Sequence, residues 1–161
     1  MKLELESASN FLVHILRLRQ KRISETQLSK FNRYLVDEMK NRYRKHWYPE
    51  EPQKDRAYRT IQFYGKEETI TACAGKKAGI KLNILNESYL NLMIWIDPFE
   101  VCYRIGENNS ICILYEYNRN NPFPWSPIPT LTKKVKNQTN SKLNNKISRF
   151  KIQFGSYFKN K

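Results

Sequence analysis

The sequence predicts an α+β domain in which N-terminal helices pack on a mostly antiparallel four-stranded sheet, followed by a basic, disordered C-terminal tail. Three observations carry this expectation. Apolar residues recur at helical spacing over the first 44 residues, the apolar period changes to two from Tyr58 onward, and four of the seven prolines fall within residues 121–129, a stretch that forbids a helix or central strand. A chain of 161 residues holds one compact domain and a tail rather than two full domains. The boundary is placed at residue 117, giving a domain over 1–117 and a Pro-rich, then basic, tail over 118–161.

Phe11, Leu12, Ile15 and Leu16 form the apolar side of a first helix. Ser24 followed by Gln27 reads as an N-cap with a capping box, and Leu28, Phe31, Leu35 and Met39 stripe the second helix behind it. That helix should reach about Arg44 and stop before Pro49 and Pro52, because the residue before a proline is pushed out of the α region. Ile61 and Phe63 then alternate with Thr60 and Gln62 as in a half-buried strand. Residues 71–80 are Ala-rich enough for a short helix, although Gly75 and Gly79 weaken it. Residues 92–96, 101–105 and 111–115 supply three more strands, the last two joined at Asn108-Asn109, residue types that tolerate the positive dihedrals of a tight turn. Such a domain should fold as a monomer.

Composition excludes several classes. With 40% hydrophobic and 13% aromatic residues, the chain can bury enough apolar surface to offset its ordering entropy. The longest strongly apolar run, 89–96, is far short of the roughly 18–20 residues needed to cross a bilayer, and the early residues include acidic Glu4 and Glu6. A soluble protein without membrane contact is expected. Cys73, Cys102 and Cys112 make an odd set without CxxC spacing, which fits reduced thiols in the cytoplasm or nucleus better than a disulfide frame or zinc site. Asn-x-Ser/Thr triplets at Asn86, Asn108 and Asn137 then have no glycan to carry.

The net charge of +14 is unevenly spread. Residues 118–161 hold ten Lys and Arg and no Asp or Glu, while residues 1–117 hold 19 basic against 15 acidic residues. The positive excess is mostly a property of the tail, which is read either as a solvated extension or as a general polyanion tether that attracts RNA. Lys133-Lys134-Val135-Lys136 resembles a weak nuclear-localisation cluster.

No phosphate-binding loop, dinucleotide-binding turn, HExxH or clustered Cys/His set is present in the sequence, so no cofactor and no metal are expected, and no catalytic residue is assigned. Neighbouring carboxylates at Glu50-Glu51 and Glu67-Glu68 point apart along the chain, and His14 and His46 read as structural. The informative segment is Leu92-Met93-Ile94-Trp95-Ile96-Asp97-Pro98. If Leu92, Ile94 and Ile96 face the core, alternation turns Met93, Trp95 and Asp97 to the other face. There Trp95 is either a binding hot spot beside a carboxylate or a core residue under a covering helix.

Those residues also carry a family resemblance. The segment 43–54, Tyr-Arg-Lys-His-Trp-Tyr-Pro-Glu-Glu-Pro-Gln-Lys, followed by Tyr58-Arg59-Thr60-Ile61, resembles box A of the BTG/Tob antiproliferative family, and 94–107, Ile-Trp-Ile-Asp-Pro-Phe-Glu-Val-Cys-Tyr-Arg-Ile-Gly-Glu, resembles its box B. The likeness spans roughly residues 5–117. It implies a non-catalytic adaptor that binds the exonuclease subunit of the Not deadenylase complex and promotes shortening of mRNA poly(A) tails, acting in cytoplasm and nucleus with an antiproliferative outcome. Residue by residue, it implies partner contacts at Tyr58, Trp95 and Asp97, with His46, Trp47 and Pro49 kept structural. The alternative is a nuclear coregulator that binds transcription factors, or a basic nucleic-acid-binding protein acting through its tail. The sequence departs from the family at Asp55-Arg56, where box A usually has a Gly-Ser turn, and around Tyr89-Leu90, where a Leu-Pro pair is absent. The tail matches neither the short third box nor the poly(A)-binding-protein motif of relatives.

Overall fold

The computed structural model describes residues 1–20, 22–64, 69–82 and 91–117. The Pro-rich segment and the basic tail, and with them the expectation of disorder, lie outside the described residues, as do Glu67-Glu68.

Helix α1 spans Lys2–Arg19 and buries Leu5, Ala8, Phe11, Leu12, Ile15 and Leu16 along one side. Helix α2 spans Glu25–Tyr43 and opens on the capping box read from the sequence: Ser24 Oγ accepts from the Gln27 backbone N–H, and Gln27 Oε1 accepts from the Ser24 N–H. Its stripe of Leu28, Phe31, Leu35, Met39 and Tyr43 is sealed from solvent. Ser9 Oγ donates to Asn32 O, and Asn32 Nδ2 to Asn10 Oδ1, so polar bonds as well as apolar packing join α1 to α2.

A one-turn 3-10 segment, Arg56–Arg59, leads into strand β1, Thr60–Phe63. Helix α3, Thr69–Ala78, packs against α2. It ends in a Schellman motif, with the Ile80 N–H on Gly75 O, the Gly79 N–H on Lys76 O, and Gly79 at φ 68°, a dihedral that glycine adopts without steric penalty. The two glycines therefore finish and pack this helix instead of breaking it.

Strands β2 (Leu92–Asp97), β3 (Glu100–Ile105) and β4 (Cys112–Glu116) complete a sheet of order β1-β2-β3-β4 in which every pairing is antiparallel. Ile61, Ile94 and Tyr103 stand in register across it, as do Phe63, Leu92 and Ile105. Their shared face meets α1, where the Phe11 and Tyr103 rings lie 4.4 Å apart. Full burial of a large apolar side chain contributes roughly 1.5–3 kcal/mol.

The loop between β3 and β4 differs from expectation. The positive dihedral falls on Gly106, at φ 80°, and not on Asn108 or Asn109. Asn109 instead uses its side-chain amide to satisfy Ile105 O. The β2–β3 turn is tighter, with Pro98-Phe99 between the paired Asp97 and Glu100, and it places Phe99 at φ 70°.

Candidate functional site

The opposite face of the sheet carries Thr60, Trp95, Cys102 and Ile113 across one row and Gln62, Met93 and Arg104 across the next. Leu92, Ile94 and Ile96 are each 0% exposed, while Met93 and Trp95 are half-buried, so the alternation read from the sequence holds for these five residues. Ile113 is 59% exposed. Two guanidiniums approach the Trp95 ring: Arg56 Cζ lies 5.9 Å from its centroid and Arg104 Cζ 5.7 Å. Both distances are within cation–π range.

Asp97 corrects one expectation. Alternation turned it to the outward face as a partner contact, but the residue is only 2% exposed. Arg59 Nη2 donates to its Oδ1 at 2.8 Å, and Arg56 Nε lies 2.6 Å from its Oδ2 as an ion pair without hydrogen-bond alignment. Burial of a carboxylate demands such pairing. Arg59 is itself wholly buried and uses all five of its N–H donors, on Ile96 O, His46 O, Lys54 O, Pro52 O and Asp97. One guanidinium thus ties the loop after α2 to the end of β2. Trp47 lies over that guanidinium, 5.8 Å from its Cζ, which agrees with a structural role.

Tyr58, on the same 3-10 turn as Arg56, is 51% exposed. His46 stacks on its ring with centroids 4.0 Å apart and planes 3° apart. His46 Nδ1 in turn bonds Asp55 Oδ2 at 2.7 Å, and this bond holds the Asp55 carboxyl below the usual carboxylate range. Asp55 sits at φ 57°, where glycine is least strained and where Asp is one of the few tolerated alternatives. Asp55 therefore sustains this turn, and its carboxylate and the Arg56 guanidinium both enter the site.

The structure brings Tyr58, Trp95 and Asp97 to one end of the sheet, joined through Arg56 and Arg59. Sequence reasoning missed three participants: Arg56, Arg59, and His46 as the support of Tyr58. The signal for Arg56 was the Asp55-Arg56 departure itself. For Arg59 there was none, because its acceptors are spread over residues 46–97.

Among the described residues no group of three or more His, Cys, Asp or Glu gathers that could hold a metal ion. Cys102 has its thiol pushed up to about 12 by burial and by its bond to Glu100, the reverse of what a nucleophile requires. His14 is held below its ordinary value by burial and by Arg17. No described helix is long and apolar enough to cross a membrane.

A family model described as the BTG family matches residues 1–115. Protein BTG2 of Rattus norvegicus is 40% identical over 114 residues, covering 70% of this chain and 72% of the relative. Protein BTG1 of Homo sapiens is 37% identical over 114 residues, covering 70% and 66%. Protein Tob1 of Homo sapiens is 32% identical over 121 residues, which are 74% of this chain but 34% of that longer protein. Among solved structures, the BTG/Tob domain of C. elegans FOG-3 superposes with a TM-score of 0.62 at 19% identity, covering 75% of this chain and 94% of that one, a likeness of fold. Sequence and fold agree on one conclusion: the chain belongs to the BTG family.

Proposed function

We propose that this protein is a non-catalytic adaptor that binds the exonuclease subunit of the Not deadenylase complex and promotes mRNA poly(A) shortening, with an antiproliferative outcome. The observation that carries the reading is Trp95, a large aromatic side chain held half-buried on a sheet face, with an exposed Tyr58 beside it and a fixed polar frame beneath. Tryptophan and tyrosine at the centre of a patch are the residue types that dominate binding energy. The frame costs no reordering on association, because Arg59 and His46 already hold the turn. The resemblance of boxes A and B suggests the partner class, and the site offers a way to meet it.

The test is calorimetric titration of the full chain with the deadenylase subunit. Trp95→Ala should weaken binding by at least about 30-fold, the factor for a hot spot of roughly 2 kcal/mol, with an unchanged thermal transition. Binding within threefold of wild type would remove the assignment.

A second reading rests on the ten positive charges of residues 118–161 and on Lys133-Lys134-Val135-Lys136: a nuclear coregulator or nucleic-acid-binding protein that works through its tail. Fluorescent fusions with and without residues 118–161 separate the two, since only this reading requires the tail for location and activity.

A further inference from the structure

Asp97 would be the natural anionic contact on this face if its oxygens were free. They are not. Oδ1 takes Arg59, Oδ2 lies against Arg56, and the side chain is 3% exposed. A carboxylate closed in this way has nothing to offer a partner's lysine or arginine. Arg59 alone neutralises it, so the charge of Arg56 is surplus. The Arg56 side chain is 36% exposed and its guanidinium stands over Trp95, with Arg104 contributing a second guanidinium to the same ring.

The other charged groups nearby are engaged away from the Trp95 ring. Asp55 is paired with His46, and Lys54 with Glu51 at 3.3 Å. Glu100 and Glu116 stand opposite one another where β3 and β4 pair at the Asp97 end, and Glu100 is bonded to the Cys102 thiol. The charges that stand against the Trp95 ring itself are the two guanidiniums of Arg56 and Arg104.

We infer that Arg56 is the specificity-determining residue of this docking face: it sequesters Asp97 as an internal counter-ion and makes the Trp95 surface fit a protein partner that presents carboxylates around an apolar slot. The inference deepens the adaptor reading and rests on it for the use of the face, but the sign of the field at Trp95 is measurable without any partner. Like charge brought to these guanidiniums is rejected and opposite charge attracted, so Arg56 selects among partners more than it adds affinity.

Two measurements on the full chain test this. In the first, Arg56→Ser and Arg56→Glu are titrated with the deadenylase subunit beside wild type and Trp95→Ala, at low and high salt. Arg59 still holds Asp97 in both variants, and a thermal melt checks that they fold. Arg56→Ser should weaken binding by about tenfold and flatten its salt dependence, and Arg56→Glu should weaken it by about 30-fold or more. Unchanged or tighter binding by Arg56→Ser, which unmasks the outer oxygen of Asp97, overturns the inference and makes Asp97 the partner contact.

In the second, Trp95 emission is isolated as the difference between wild type and Trp95→Phe and quenched by iodide or caesium, normalised to neutral acrylamide. Iodide should quench at least about twice as well as caesium, with the preference lost in Arg56→Glu. Equal quenching by the two ions overturns the inference whatever binds. If wild type fails to bind the deadenylase subunit while the iodide preference persists, the adaptor reading falls and the cationic aromatic face stands, its acidic partner being another protein.

Discussion

The guanidinium of Arg59 and the carboxylate of Asp97 meet at 2.8 Å with side chains 0% and 3% exposed, so the frame under the exposed Tyr58 and the half-buried Trp95 is a buried ion pair. Removing one partner of such a pair leaves a buried charge without compensation, at about 3–5 kcal/mol. Arg59→Ala should fall at the lower end, about 3 kcal/mol, because Arg56 still neutralises Asp97 while four backbone carbonyls lose their donor. Arg59→Lys should recover little of this, since a single ammonium cannot reach acceptors distributed around a planar fork. Urea unfolding of the two variants decides the matter, and a loss below about 1 kcal/mol for Arg59→Ala would mean that the frame is dispensable.

How much of this was legible in the sequence follows the range of each interaction. The capping box at Ser24 and Gln27, the stripe of α2, the alternation in β1 and that in β2 as far as Ile96 are local patterns, and these stand in the structure as read. The enclosure of Asp97 was not legible, because the nearer of its two partners already lies 38 residues away. Alternation assigns a face, and it says nothing about whether a neighbouring turn closes over that face. The β3–β4 loop was misread for a related reason. Asn108-Asn109 has turn chemistry, but Gly106 stood closer to the strand end and took the positive dihedral at lower steric cost.

Helix α3 offers a sharper case. Its two glycines weakened the helix on propensity alone, yet a Cβ built at Gly75 would stand 2.8 Å from Leu82 Cδ1 and 3.1 Å from Ile80 O. Leu82 is buried and Ile80 O is backbone, so neither yields easily. Gly75→Ala therefore gains about 1 kcal/mol of helix propensity against an overpacking cost of roughly 1–3 kcal/mol, and the expected result is a net loss of about 1 kcal/mol. Stabilisation by this substitution in chemical denaturation would show that Leu82 moves aside.

The His46–Asp55 bond gives a pH signature with a definite sign. The folded-state pKa of Asp55 is depressed, chiefly by its bond to His46. The bond therefore contributes stability above the unfolded carboxylate value of about 3.9, and that contribution is lost as pH falls through the lower folded value. Asp55→Asn keeps a residue that tolerates the left-handed backbone and removes the charge. Wild type should exceed Asp55→Asn in urea midpoint at pH 5 and above, and the two curves should converge on acidification below about pH 4. Parallel curves across that window would mean that the bond is not linked to folding. Because His46 stacks on Tyr58, docking should weaken over the same acidic range.

The last expectation concerns residues 118–161 and follows from charge alone. Ten Lys and Arg without one Asp or Glu bind a polyanion by releasing its counterions, and Phe150, Phe154, Tyr157 and Phe158 supply rings on which bases stack. Neither resource reads a sequence, so poly(A) and poly(U) should bind with similar affinity. If about six charges contact single-stranded phosphates, log K falls against log salt with a slope near −4, at roughly −0.7 per contact. Filter binding of this segment at several salt concentrations measures both quantities. A strong preference for one polymer would reveal specific readout, whereas no binding at low salt would leave the tail to a protein partner, with Ile147, Phe150 and Phe154 as the apolar side it presents.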